Sequence, residues 1–158
     1  MTDGKLPQDA ELRQAIDFFF EHAGQQFVRF LGFSIDSTDF ESGVITFDMD
    51  DRLVGNRYYR MLHGGVISSI LDIAGGVTVY LQVMKDIRGK DWEKQVERLS
   101  KIGTIDIRID YLRPGKGERF TARGYMLRKG GKFAVTRMEL RNDEDVLIAV
   151  ATGTYAIG

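Results

Sequence analysis

The sequence predicts an α+β fold in which a curved antiparallel β-sheet wraps around one buried helix. Four extended segments joined by short turns follow one another in the last third of the chain, a pattern typical of an antiparallel sheet. Before them, residues 62–84 are apolar on nearly every side, and such a helix is either buried or spans a membrane. A sheet curved around this helix would account for the order of the elements and for the burial of the helix.

Length and composition indicate one ordinary globular domain. The 158 residues are close to the length of a single domain, so we expect one domain over residues 1–158 that includes an N-terminal helical segment, 1–32. The chain has no cysteine, which excludes disulfides, thiolate catalysis and cysteine-ligated metals. Its two histidines cannot build a zinc site alone, and no cofactor is expected.

Charge and the first residues exclude some classes of partner. With 22 basic and 23 acidic residues the net charge is −1, so no overall attraction to nucleic acid is expected. The N-terminal residues are polar and acidic and lack the pattern of an export signal. These features predict a cytoplasmic protein.

The first third of the chain predicts a helix and a hairpin. Apolar residues recur at helical spacing over 9–31, and we expect Gly24 to divide this helix in two. The six phenylalanines of residues 18–33 favour core packing, although they are also compatible with lining an apolar groove. Residues 33–40 and 44–50 alternate like strands turned by 41–43, and 51–62 are predicted to be a loop.

The central helix, 62–84, is predicted to be buried. Asp72, Gln82, two serines and a Gly-Gly pair interrupt it, and no other segment resembles a membrane span, so we expect none here. A short surface helix is predicted over 91–99.

Four strands complete the predicted sheet. The first, 102–112, alternates apolar and charged residues, which predicts one buried and one solvated face; Ile105, Ile107, Ile109 and Tyr111 would form the buried face. The others are 118–127, 133–141 and 146–157, with turns at 113–117, 128–132 and 142–145.

The start of the central helix and one aspartate are the candidates for chemistry. His63, Gly64 and Gly65 open the helix, where unpaired backbone N–H groups can hold a carbonyl oxygen that becomes negative. Glycine lets a substrate approach that backbone closely. Asp72 lies inside an apolar helix, where a carboxylate costs several kcal/mol unless it is paired, hydrogen-bonded or facing a cavity.

The spacing of these groups predicts a site shared by two chains. His63 and Asp72 are nine residues apart, about 13 Å along a helix, which is too far for both to touch one reacting atom. Gly65, Ser69, Asp72 and Gly76 form a stripe of small residues along one line of the helix. A two-fold axis that pairs two such helices antiparallel would place Asp72 against the His63–Gly65 turn of the second chain and give two sites per dimer.

Two separated motifs resemble a known family. The pattern Asn56-x6-His63-Gly64-Gly65-x6-Asp72-x-Ala74 resembles the hotdog-fold acyl-CoA thioesterases of the PaaI-like group, and residues 103–120 resemble the YigI subgroup of bacterial acyl-CoA thioesterases. The resemblance covers about residues 10–158. It implies a hotdog fold and hydrolysis of acyl-CoA. It also implies that two chains dimerise through their sheets and that dimers commonly pair into tetramers.

The resemblance also implies roles for individual residues. Asp72 would be the general base or nucleophile, and the Gly65 N–H would polarise the thioester carbonyl with His63 beside it. Asn56 would orient the water, and Thr104 matches a serine that bonds this water in some relatives. From the residues alone, His63 and Asp72 could instead be structural, and Asn56 could be a turn residue.

Several other residues are candidates for contacts with the substrate. Gly64 and Ser69 are expected beside the thioester. Five basic residues in two turns are candidates for the coenzyme A phosphates, unless they are simply solvated: Arg113, Lys116, Arg128, Lys129 and Lys132. The N-terminal phenylalanines, with Tyr58, Tyr59, Met61 and Tyr80, favour medium or long acyl chains.

Two other functions remain open at this point. One is an acyl-CoA-binding module without turnover, and the other is an enoyl thioester hydratase. The lack of proline near His63 disfavours the hydratase, and the lack of a G-x-S-x-G motif disfavours a serine hydrolase.

Overall fold

The computed structural model describes residues 10–22 and 25–158 of the chain. Four helices are found in these ranges, α1 Ala10–His22, α2 Gln25–Leu31, α3 Gly64–Ile87 and α4 Trp92–Leu99. The strands are β1 Ser34–Ile35, β2 Val44–Asp48, β3 Val54–Asn56, β4 Met61–Leu62, β5 Gly103–Tyr111, β6 Arg119–Lys129, β7 Phe133–Asn142 and β8 Leu147–Ala156.

Six of these strands form one antiparallel sheet in the order β1-β2-β6-β7-β8-β5. Helix α3 packs against β2, β6, β7, β8 and β5, and in β6, β7 and β8 buried residues largely alternate with more exposed ones. Phe120, Met138 and Leu140 of the sheet and Ile70 and Leu71 of α3 are almost completely shielded from solvent. The predicted fold class, a curved antiparallel sheet around one central helix, is confirmed.

Helix α3 ends three residues beyond the predicted 62–84 segment, at Ile87. Ile87 is buried and extends the apolar face, and Gly89 follows with a φ of +82°, which ends a helix readily. By length and composition α3 could cross a membrane. In this fold most of its residues are buried against the sheet and α1.

The hairpin prediction was right in pairing and wrong in the length of its first strand. Ser34 and Ile35 pair with Thr46 and Ile45, but 36–43 form a loop instead of continuing the strand. The buried Ser37 hydroxyl accepts the Val44 N–H at 2.9 Å, and the Asp39 carboxylate accepts the Glu41 N–H at 2.8 Å. Serine and aspartate thus capture backbone groups that a longer strand would have needed.

The segment 51–62, predicted to be a loop, contains local structure. A 3₁₀ turn spans Asp51–Leu53, and β3 pairs with β4 as a small separate hairpin. The His63 N–H donates to the Leu53 carbonyl at 2.8 Å. This hairpin therefore leads directly into the start of α3.

Helix α1 is described up to His22 and α2 from Gln25, and the predicted break at Gly24 lies outside the described residues. Helix α1 packs on α3, where the Tyr80 hydroxyl donates to the Ala15 carbonyl at 2.9 Å. Tyr80 is therefore part of the core, and it lines neither the groove nor the cavity described below. In α2, Phe27 and Phe30 remain 53% and 64% exposed.

Strand β5 contains a bulge that corrects its predicted alternation. Thr104 pairs with Tyr155 and Asp106 with Thr154, so Ile105 is an extra residue in β5. A bulge of this kind reverses the alternation on one side of it. Ile107 and Ile109 keep the predicted inward face and are half-buried. Ile105 and Tyr111, which were also predicted to be buried, are each 54% exposed.

Candidate active site

The Asp72 carboxylate lies on the less buried side of α3 and is hydrogen-bonded from the sheet. The Thr104 hydroxyl donates to its Oδ1 at 2.9 Å, and the Tyr155 hydroxyl lies 3.1 Å from the same oxygen. We call these three residues the carboxylate half-site. Its two hydroxyls meet the need for hydrogen bonds that a charge in an apolar helix creates.

The bulge in β5 explains how Thr104 reaches Asp72. In a regular strand that places Ile107 and Ile109 inward, Thr104 would point outward with the charged residues. The extra residue at Ile105 changes the register and turns Thr104 toward α3. Alternation alone therefore could not predict this contact, although the family resemblance marked Thr104.

Tyr155 was not singled out by the sequence analysis. It lies in β8 and is 1% exposed, with its hydroxyl beneath α3. Burial first, and then the nearby Asp72 carboxylate, raises the pKa of this hydroxyl well above its ordinary value. The sequence signal was no more than a tyrosine at an inward position of the last strand.

His63, Gly64, Gly65 and Tyr111 form a second group at the start of α3, which we call the helix-start half-site. His63 is the N-cap residue, and its Nδ1 accepts the Gly65 N–H at 2.9 Å. The acceptor must be a neutral ring, since a protonated nitrogen has no free lone pair. The Tyr111 hydroxyl donates to the Gly64 carbonyl at 3.1 Å.

The two glycines therefore differ in what their N–H groups do. The N–H of Gly65 is used by the His63 cap. The N–H of Gly64 makes no hydrogen bond within the described part of the chain. Thus Gly64, not Gly65, offers a free donor at the helix start, whereas the prediction for Gly65 requires the His63 ring to release it.

Asn56 and Ser69 make local hydrogen bonds. The Asn56 Oδ1 accepts the N–H groups of Tyr58 and Tyr59 at 3.0 and 3.3 Å, an arrangement typical of an asparagine turn. The Ser69 hydroxyl donates to the Gly65 carbonyl within its own helix at 2.7 Å. These bonds account for both side chains without a substrate, and their predicted roles stay predictions.

An open groove of about 400 Å³ lies beside the helix-start half-site. Met61, Ile67 and Leu112 contribute apolar walls, and Gly64 and Arg113 also line it. Of the aromatic residues predicted to line a tunnel, Tyr58 and Tyr59 are largely exposed. The groove is therefore a largely apolar space next to the backbone at the start of α3.

The predicted phosphate-binding cations lie at two ends of the sheet. Arg113 and Lys116 precede β6, while Arg128 is near its end and Lys132 follows it. Because β6 has 11 residues, the two ends are separated by about 33 Å. One protomer therefore does not bring these four side chains together.

A cavity of about 340 Å³ lies at the end near Lys132. Its lining is rich in basic residues, and two acidic residues also contribute: Lys90, Lys94, Arg98, Lys101, Lys129, Asp86 and Glu97. The Lys129 ammonium donates to Asp86 at 2.6 Å and Lys101 to Glu97 at 3.1 Å. Part of the positive charge is therefore already paired.

Comparison with known proteins identifies the family. The sequence profile of the thioesterase superfamily matches residues 59–149, a range that includes the helix-start half-site, Asp72 and Thr104. The chain belongs to the thioesterase superfamily. It is also 40% identical over 97% of its length, and 97% of the relative's, to the medium/long-chain acyl-CoA thioesterase YigI of Escherichia coli K12.

Solved structures agree with this assignment. A protein of Shewanella oneidensis related to the thioesterase superfamily is 37% identical, with a TM-score of 0.85 over 93% of this chain and 95% of that one. The PaaI protein of E. coli has a TM-score of 0.72 at 20% identity, over 94% of each chain, and this shows a shared fold. The predicted family and hotdog architecture are thus confirmed for this thioesterase-superfamily chain.

Proposed function

We propose that this chain hydrolyses medium- or long-chain acyl-CoA to a free fatty acid and coenzyme A. The observation that carries the proposal is the Asp72 carboxylate, hydrogen-bonded by Thr104 on the less buried side of α3 in a chain 40% identical to a medium/long-chain acyl-CoA thioesterase. A carboxylate held in this way can act on water or on a thioester carbon. The groove beside Gly64 offers an apolar wall for the acyl chain.

In the general-base route, Asp72 removes a proton from water as the water oxygen bonds to the thioester carbonyl carbon. The carbon–sulfur bond of the tetrahedral intermediate then breaks. The departing thiolate receives the proton from Asp72, which regenerates the carboxylate. In the nucleophilic route an Asp72 oxygen bonds to that carbon first, the thiolate leaves, and water hydrolyses the resulting anhydride.

The backbone at the start of α3 holds the carbonyl oxygen as it becomes negative. The first N–H groups of a helix carry partial positive charge and lack helical partners. Gly64 offers its N–H without rearrangement, since that group makes no hydrogen bond within the described residues. Gly65 would serve if the His63 ring turned away, and His63 then positions the thioester.

The active site is shared between two chains. The two half-sites are about 13 Å apart along α3, and they lie at opposite ends of β5, at Thr104 and Tyr111. Strand β5 is at the edge of the sheet. Antiparallel pairing of two β5 strands about a two-fold axis brings Thr104 of one chain toward Tyr111 of the other.

Other parts of the substrate are assigned by position. Arg113 lines the groove at the helix start, and Lys116 lies in the same turn, so this pair is proposed to bind the coenzyme A phosphates. Arg128 and Lys132 are the competing pair. The pairing of dimers into tetramers and a cytoplasmic location stay predictions.

The change Asp72→Asn tests the proposal. We expect kcat for acyl-CoA, followed by thiol release, to fall at least ~10²-fold, the scale for loss of a positioned base, with the melting temperature nearly unchanged. The control is Asp17→Asn on the exposed side of α1. Undiminished turnover in folded Asp72→Asn protein would contradict the mechanism.

Assays of the wild-type protein distinguish thioester hydrolysis from the two competing functions. A C2–C18 panel of acyl-CoA esters is expected to release thiol most rapidly with the medium or long chains. An acyl-CoA-binding module would release no thiol, and a hydratase would instead consume the double bond of an enoyl thioester.

A further inference from the structure

The two oxygens of the Asp72 carboxylate have unequal surroundings. Oδ1 lies 2.9 Å from the Thr104 hydroxyl and 3.1 Å from the Tyr155 hydroxyl. Oδ2 receives no hydrogen bond within the described part of the chain. A carboxylate has about four acceptor positions, so the contacts collect on one oxygen and leave the other available.

Tyr155 is held firmly in this arrangement. Its hydroxyl lies 3.1 Å from the backbone carbonyl of Asp72 as well as from Oδ1, so the same group touches the main chain and the side chain of the aspartate. A Cβ added at Gly75 would come within 2.2 Å of this hydroxyl, and one at Gly153 within 2.9 Å of the ring. Two glycines thus provide the space that the tyrosine occupies between α3 and the sheet.

Thr104 approaches from a different direction. It belongs to the edge strand β5 and reaches the aspartate because of the bulge at Ile105. Thr104 is exposed in the single chain, whereas Tyr155 is buried. A solvent-side and a core-side hydroxyl therefore meet at Oδ1, which restricts rotation of the carboxylate more than either would alone.

We propose that Tyr155 is a positioning residue that, together with Thr104, fixes Oδ1 of Asp72 so that Oδ2 is the oxygen that meets the water or the thioester. This inference rests on the proposed function of Asp72. Because burial raises the pKa of the Tyr155 hydroxyl, the group remains a protonated donor during turnover. Pre-arranged groups of this kind lower the barrier by limiting reorganisation in the transition state.

The test compares the two buried tyrosines of the core. Tyr155→Phe removes the hydroxyl and keeps the ring, and we expect kcat to fall about tenfold with KM within about twofold, since orientation and not binding is lost. Tyr80→Phe is the matched control, because it deletes a buried hydroxyl that donates to the Ala15 carbonyl away from Asp72. It should change kcat by less than about twofold at a similar cost in melting temperature.

A double-mutant cycle distinguishes positioning from general structural support. In the Asp72→Asn background, Tyr155→Phe should have no further effect on residual turnover, because the oxygen it positions is no longer reactive. Thr104→Val should lower kcat, whereas Thr104→Ser, which keeps the hydroxyl, should have nearly the wild-type kcat. The double variant Thr104→Val with Tyr155→Phe should have a lower kcat than either single variant. Melting temperatures confirm that each variant is folded.

The outcomes separate this inference from the proposed function. If Asp72→Asn abolishes turnover while folded Tyr155→Phe retains the wild-type kcat, the positioning role is overturned and the function stands. A similar loss of kcat in Tyr80→Phe and Tyr155→Phe would also overturn it, since the effect would then be one of stability. If Asp72→Asn remains active, the proposed mechanism fails first.

Discussion

Asp72 places a charge in a helix that is otherwise largely buried, and its environment explains how the fold tolerates it. Its side of α3 is only partly covered, and two hydroxyls approach one carboxylate oxygen. Removing a carboxylate from water without such partners costs several kcal/mol. The same contacts that make the charge tolerable orient it, so stability and the proposed chemistry depend on the same three residues.

Gly64→Pro tests the donor at the helix start. Proline is favoured at the first position of a helix, and His63 already has the extended backbone, with a ψ of 140°, that a residue before proline adopts. The substitution therefore deletes one N–H with little strain. We expect kcat to fall about 10²- to 10³-fold, the usual effect of losing an oxyanion donor.

The measurement is steady-state thiol release by folded protein, with helix content and melting temperature recorded in parallel. Nearly wild-type kcat in Gly64→Pro would assign the donor to Gly65, with the His63 ring released during turnover. A fall in activity accompanied by loss of helix content would point to a folding defect, and Gly64→Ala would then serve as the variant that adds a side chain but keeps the N–H.

Two elements decide where the functional side chains lie. The bulge in β5 turns Thr104 inward to Asp72, and the remainder of the strand carries Tyr111 to the other end of the site. The length of β6 separates the two groups of predicted cations. A strand that is one residue longer or shorter would change which side chains meet, because side chains alternate between faces at every residue.

Charge-removing changes at the two ends of β6 locate the coenzyme A phosphates. With Arg113→Gln and Lys116→Gln combined, we expect KM for acyl-CoA to rise about tenfold through the loss of charge-assisted contacts. The KM for the matching acyl-pantetheine, which has no such phosphates, should stay the same. A rise confined to Arg128→Gln with Lys132→Gln would instead place the phosphates near the cavity lined by Lys129.

At the scale of the whole molecule, the proposed site needs two chains. Asp72 and the helix start lie on one unbroken helix and are held apart by its rise of 1.5 Å per residue. The exposed edge strand β5 carries one half-site near each end. A two-fold axis at this edge forms two equivalent sites, each with the carboxylate of one chain and the helix start of the other.

Co-expression of two inactive chains tests this sharing. Asp72→Asn and Gly64→Pro damage different half-sites, so a mixed dimer contains one intact site. Because random pairing makes half of the dimers mixed, we expect about a quarter of the wild-type activity per chain. Activity no greater than that of the separate variants would contradict a shared site.

A second co-expression experiment distinguishes shared sites from independent ones. Wild-type chain co-expressed with a chain carrying both changes should retain about a quarter of the wild-type activity if the sites are shared. If each chain worked alone, about half would remain. Light scattering on the purified wild-type protein would show whether it is at least a dimer.

The sequence by itself determined the order of the long helices and strands, the buried central helix, the antiparallel sheet and the family. These follow from apolar periodicity and from motifs such as His63-Gly64-Gly65 with Asp72, which are local properties of the chain. The predicted length of β1 was wrong because the Ser37 and Asp39 side chains accept hydrogen bonds from nearby backbone N–H groups. The alternation of apolar and polar residues does not reveal such bonds. The inward position of Ile105 was wrong because a bulge lies there.

Only the tertiary structure decided which residues meet Asp72. Tyr155 comes from a strand 83 positions away and reaches the aspartate through space left by Gly75, a relation that no local pattern contains. The structure likewise showed that His63 already uses the Gly65 N–H while that of Gly64 is free within the described residues. Hydrogen bonds between distant segments depend on register and packing, and these are settled when the sheet closes around the helix.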